Sequence, residues 1–422
     1  MKRFPSFWRT AAPAGLLFAM AATAPAETFT WNKPAAAPAP VYNWHWRDAD
    51  NWNTGEDGVP GAGDTANILL NFTGASINIT FAETETTPKV YPSVGLLNVG
   101  DTDGTTAIRF APGGSSIYLT FDNLGSEARM TKTGVNTVDF WRSVSFKDDT
   151  VFDVQAGVVT FTTGNASLRG AGNLAIQGAG LTMFENPSLI STSFSGDLSI
   201  RSNGTLLMNT TFNVYTPTIG GNPVPTPGAV VTVEETARLG GGGTLGRHTT
   251  VESGGRLTPG TTLESAGVLQ FTDGLTLETG AHFDFQLLSD TALLANRGTA
   301  FDGVDVSGGD LSIAEGVLFN VSFDTAGSSV DFTDAFWSAN QEWLVFDGTE
   351  IAADHLFTLG NVSRDSAGNS ISLTGGTLGF RQDGDGLYLT YTAVPEPGTA
   401  ALLLMAGGLA AVAWRRKVSF LP

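Results

Sequence analysis

From about residue 172 onward, short alternating apolar segments are broken by glycine at a regular interval. Gly172-Asn173-Leu174-Ala175-Ile176 is followed by Gly180-Leu181-Thr182-Met183. The same cadence returns 24 positions later as Gly196-Asp197-Leu198-Ser199-Ile200 and Gly204-Thr205-Leu206-Leu207-Met208. It recurs at Gly274-Leu275-Thr276-Leu277 with Gly280 to Phe285, and at Gly309-Asp310-Leu311-Ser312-Ile313 with Gly316 to Val321. Alternation puts Leu174 and Ile176 on one side of a strand and Ala175 on the other. Glycine permits the sharp corners. A strand-only repeat of this length cannot bury its apolar side alone, so neighbouring turns must stack.

The fold class expected is therefore all-β, with a parallel β-solenoid (β-helix) body. About fifteen turns at ~4.8 Å each would make a rod of roughly 70 Å. The rival is a pair of antiparallel β-sandwiches, whose hairpin turns Asn203-Gly204 would suit. The composition agrees with many strands and turns: Gly 52, charged residues 15%. Cysteine is absent, so burial and backbone pairing alone must hold the fold. The formal charge is −19. Both ends are basic, so the body between them is more acidic still. That argues against nucleic acid and against anionic polymers as favoured ligands, and is compatible with divalent cations and neutral glycans.

The ends are the most specific segments. Lys2, Arg3 and Arg9 precede an apolar run around Leu16 to Met20, and Ala24 and Ala26 form an A-x-A site. This is the order of a secretory signal peptide, residues 1–26, cleaved after Ala26. At the other end, residues 399–414 carry no charge and are followed by Arg415, Arg416 and Lys417. As a helix the run spans about 24 Å at ~1.5 Å per residue, a short transmembrane segment with its basic cluster on the cytoplasmic side. Pro395, Glu396, Pro397 and Gly398 prevent that helix from extending upstream.

Residues 394–417 resemble the PEP-CTERM sorting signal of Gram-negative bacteria. The resemblance implies recognition and processing by an exosortase at the inner membrane, after export by the secretion machinery. Membrane anchoring would be transient, with the cell surface or extracellular space as destination.

Between the ends, residues 27–40 read as an Ala/Pro spacer, with ordered chain from Val41. Residues 41–214 form a first solenoid half, 215–228 a proline-rich insertion, and 229–392 a second half. Trp44, Trp46 and Trp52 lie within nine residues. They suit either an aromatic plug over the end of the core or a sugar-stacking platform. Trp337 and Trp343 with Leu344-Val345-Phe346 are expected to close the opposite end. The Trp-rich segment, running on through Gly58-Val59-Pro60 and Gly63-Asp64, is similar to the opening of exported proteins with autotransporter-associated β-strand repeats. Leu239 to Gly246, Arg256 to Gly260 and Phe301 to Gly308 resemble those repeats themselves. No outer-membrane barrel pattern follows.

Chemistry is sparsely signalled. His45, His248, His282 and His355 have no metal-ligand spacing. No P-loop, Gly-x-Ser-x-Gly or His-Glu-x-x-His is present. Neither Asp101-Thr102-Asp103-Gly104 nor Asp383-Gly384-Asp385-Gly386 continues into a full calcium loop. Asp284, Asp302 and Asp305 are available as paired carboxylates for glycoside cleavage. No catalytic residue, metal or cofactor is assigned. The expected function is an exported structural or adhesive surface protein, with exopolysaccharide as a partner. The alternative is a glycan-binding or polysaccharide-cleaving β-helix.

Overall fold

A computed structural model describes residues 26–32, 41–53, 58–71, 76–82, 91–113, 117–162, 166–185, 193–212, 218–219, 222–223, 228–348 and 357–394. Two parallel sheets of 12 strands each run the length of the molecule, and they are paired almost entirely in parallel. Each turn contributes one strand to the first face, one to the second, and a shorter one to a third. Thr150–Val154, Val158–Phe161 and Leu168–Gly170 form one such turn, and Leu174–Gln177 stacks directly on Thr150–Val154. This is the parallel solenoid, not the sandwich. Asn203-Gly204 makes no hairpin. Ser202 (φ 48°) and Asn203 (φ 64°) turn a corner between Leu198–Ile200 and Thr205–Met208, which belong to different faces.

Twelve strands per long face, at ~4.8 Å, give a stack of about 50 Å, shorter than fifteen turns would make. The repeat is also uneven. Leu174 pairs Leu198, 24 residues on, but Leu198 pairs Val231 and Leu275 pairs Leu311. Corners absorb insertions because only the strands must stay in register. Strand formation also starts earlier than Val41. Thr28–Trp31 pairs in parallel with Thr65–Leu70 and antiparallel with Trp52–Asn53, so the first part of the expected spacer belongs to the first face.

Identical side chains recur inside the turns. Phe110, Phe140 and Phe161 occupy successive paired positions on the second face. Their rings stack at 4.9 and 5.0 Å. Offset stacking of this kind adds ~0.5–1.5 kcal/mol per pair beyond area burial. Polar ladders line the outside. The Asn78 amide donates to Asn43 Oδ1 at 2.8 Å, and the Asn98 amide to Asn67 Oδ1 at the same distance. At the corner entering the first face, Asp149 accepts from the Asn173 N–H, Asn173 from Asp197, and Asp197 from Val230. Each carboxylate or amide thereby satisfies the backbone donor of the next turn, where strand pairing has ended.

The third face is broken in two. One five-stranded sheet ends at Ser193–Phe194, and a second, seven-stranded sheet begins at Thr211–Phe212. The proline-rich insertion follows that second strand in sequence. Within it, Thr218–Ile219 and Asn222–Pro223 form a small antiparallel pair. The two long faces continue past it without interruption, so both halves share one hydrophobic core.

Candidate functional site

The two ends of the stack are sealed by aromatic residues. At the first end, Trp46 and Trp52 are 0% and 3% exposed. The Trp52 ring meets the Trp31 and Trp46 rings edge-on at 4.8 and 5.1 Å, and its Nε1 donates to the Trp46 carbonyl at 2.7 Å. Trp44 packs partly buried against Trp31. Of the two arrangements these tryptophans suited, the packing of Trp46 and Trp52 is that of a plug over the end of the core. Trp31, which sequence reasoning left in the spacer, completes the plug. Its signal was present in the alternating Thr28-Phe29-Thr30-Trp31.

At the other end, Trp337 and Trp343 are buried, and their Nε1 atoms donate to Asp290 and to the Thr291 carbonyl. Tyr391 donates its hydroxyl to the Trp337 carbonyl at 2.9 Å. Here the parallel order gives way: Gln341–Gly348, Gly386–Thr392 and Thr377–Asp383 form an antiparallel meander. Gly386–Thr392 lies centrally in it, paired on both edges.

The three carboxylates considered for glycoside cleavage occupy different environments. Asp284 is held by both Nε and Nη2 of Arg256 at 2.8 and 2.6 Å, by Thr258 and by Asn320. Asp302 is fully buried and accepts the N–H groups of Gly267 and Gln286. Burial holds its carboxyl well above the ordinary range. Asp305 pairs with Arg297 at 2.6 Å. Asp101 and Asp103 accept backbone N–H groups of their own turn, and Asp383 pairs with Arg381. Among the described residues no group of three or more His, Asp or Glu side chains is placed to hold a metal ion.

His45 meets Thr80, His248 meets Thr276, and His282 meets Asn320. Burial and the nearby Arg256 push the His282 pKa down. His355 lies outside the described residues, as do Ala24, Pro395, Glu396, Pro397, Arg415, Arg416, Lys417 and the apolar run 399–414. Ala26 is exposed, two residues before the first strand.

Two buried cations escaped sequence reasoning, because nothing local marks them. Lys132 is 0% exposed, and its ammonium donates to the carbonyls of Thr133, Gly134 and Ala156 at 2.6–3.0 Å. Burial lowers its pKa to about 8. Arg247 fills the gap in the third face. It donates to the Phe194 and Gly196 carbonyls at 2.6 Å each, and its guanidinium lies over the Phe194 and Phe212 rings. It thus satisfies carbonyls at the end of the five-stranded sheet, where no next strand arrives.

On the second face, Arg238, Arg256 and His282 stand in one outward column and Thr258, Asp284 and Asn320 in the adjacent one. Arg238, Arg256, Thr258, Asp284 and Asn320 line an open groove of about 280 Å³.

Residues 393–417 match the model of the PEP-CTERM protein-sorting motif. The motif begins one residue after the strand that ends at Thr392. No curated protein matches the chain. The matched segment is the address of an exported protein handled by an exosortase, and it places the chain's destination at the envelope or surface of a Gram-negative bacterium.

Proposed function

We propose that the protein is an exported, non-enzymatic β-solenoid that serves a structural or adhesive role at the cell surface or in the extracellular matrix. In this reading a signal peptide directs export. The short apolar helix of residues 399–414 then holds the chain transiently in the inner membrane until an exosortase acts at Pro395-Glu396-Pro397. The observation that carries it is the direct junction of a capped solenoid to a sorting motif. The last strand, Gly386–Thr392, is paired on both sides, so processing beyond it leaves the stack closed. The Gly-rich segments at 239–246 and 301–308 support kinship with autotransporter passenger repeats.

Fractionation of cells expressing a tagged chain tests the proposal. The wild type should leave the inner membrane, whereas Pro395→Ala/Glu396→Ala/Pro397→Ala should accumulate there. Equal release of both would overturn the sorting role. Release of reducing ends from polysaccharide by the purified chain would overturn the non-enzymatic role.

A further inference from the structure

The groove on the second face holds an arrangement that its own residues leave incomplete. Arg238 and Arg256 are direct partners on successive turns, which brings two like charges about 4.8 Å apart along the stack. Like charges placed directly opposite one another are destabilising. The carboxylate beside them, Asp284 on the turn beyond Arg256, is committed to Arg256 through a two-point contact. Arg238 reaches Asp284 only at 4.0 Å, and within the described residues its guanidinium donates no hydrogen bond. Its side chain is 31% exposed into the groove. Nearby, Gln286 is 3% exposed. Its Nε2 donates to the Leu263 carbonyl, while its Oε1 accepts no hydrogen bond. Ser322, the strand partner of Gln286, lines the groove as well, with Thr325 and Ser363.

A planar fork of donors beside hydroxyls and amides matches a carboxylate on a hydroxyl-rich ligand. Asp284 in the floor leaves the Arg238/Arg256 pair with a single net positive charge, a local exception on an otherwise acidic body, which suits a singly charged carboxylate against the expectation from net charge and disfavours a doubly charged phosphate. The volume lies near the lower end of the ~300–1,000 Å³ typical of small-ligand clefts, and the groove opens along a strand face where a polymer can pass. We propose that this groove binds a uronic-acid-containing saccharide, with Arg238 taking the sugar carboxylate and the wall hydroxyls taking the ring oxygens. The site stands whether or not the protein is a matrix rod, since it rests on the groove alone.

Titration calorimetry of the full-length chain in 0.15 M salt tests it. The probes are oligogalacturonate, oligoglucuronate and alginate oligosaccharides, their methyl esters, and inorganic phosphate. At least one free-acid oligosaccharide should bind, its methyl ester at least tenfold more weakly. Arg238→Gln should lose at least tenfold in affinity with a melting temperature no lower than the wild type's. Binding of none of the three acids, or equal binding of acid and ester, would overturn the proposal. So would phosphate binding as tightly as the acids, which would mark a simple anion site. If Arg238→Gln fails to fold, the comparison of acid and ester on the wild type decides alone.

Discussion

Replacing Arg247 with methionine should destabilise the protein by about 2–3 kcal/mol and weaken the junction between the two third-face sheets. Methionine approaches the length of the arginine stem, so the change removes charge and donors more than volume. Two buried carbonyls, those of Phe194 and Gly196, lose their only hydrogen bonds from this side chain. Each orphaned acceptor costs ~1–3 kcal/mol. Loss of the contacts to the Phe194 and Phe212 rings adds ~1–2 kcal/mol. Against this stands relief of the buried charge. Burial lowers the Arg247 pKa from its ordinary value to about 10, which corresponds to a dehydration cost of ~3 kcal/mol. The difference lies between about 0 and 5 kcal/mol, with the centre between about 2 and 3.

Buried ion pairs can often be replaced by apolar residues without loss. That outcome requires both partners to change, and here the partners are backbone carbonyls, which stay. Urea unfolding followed by tryptophan fluorescence is the assay, because Trp46 and Trp52 report one end of the stack and Trp337 and Trp343 the other. In a stacked repeat each turn contacts only its neighbours, so a weakened seam should also separate the transitions of the two ends. A variant as stable as the wild type, with a single unchanged transition, would refute the reasoning.

Phe140→Ala should cost about 3–5 kcal/mol, because its ring stacks between Phe110 and Phe161; the urea midpoint measures it. For Lys132, whose folded pKa is lowered to about 8, the unfolded chain holds more protons between about pH 8 and 10.5. The stability of the wild type relative to Lys132→Met should therefore rise with pH across that window, and denaturant titrations at pH 7.5, 9 and 10.5 check the sign. Asp197→Ala removes the acceptor for the Val230 N–H where the chain re-enters the stack from the insertion, and should cost about 1–2 kcal/mol, read as a lower melting temperature. Signal cleavage after Ala26 would leave the Glu27 amine 2.9 Å from Asp64 Oδ1, so Asp64→Ala should destabilise the processed chain more than the unprocessed one.

The strand and corner pattern was local, and so it was readable. The Leu-x-Ile alternation and glycine spacing at 172–208 specify strands that must stack, and the sorting motif is a contiguous run. The aromatic ends were legible for the same reason, except that Thr28–Trp31 was hidden by the proline-rich stretch following it. What the chain folds against itself was not local. The number of turns depends on how many residues each corner absorbs, which periodicity does not record once the offsets differ as widely as Val231↔Thr249 and Leu275↔Leu311. Arg247 looks like any surface arginine until the third face ends at Phe194 and leaves carbonyls to be met. Arg238 and Arg256 lie 18 positions apart and become neighbours only through register. Sequence by itself determined the strand-and-corner architecture and the sorting address. Only the stacking decided which charges are buried, which are paired, and which one is left facing a groove.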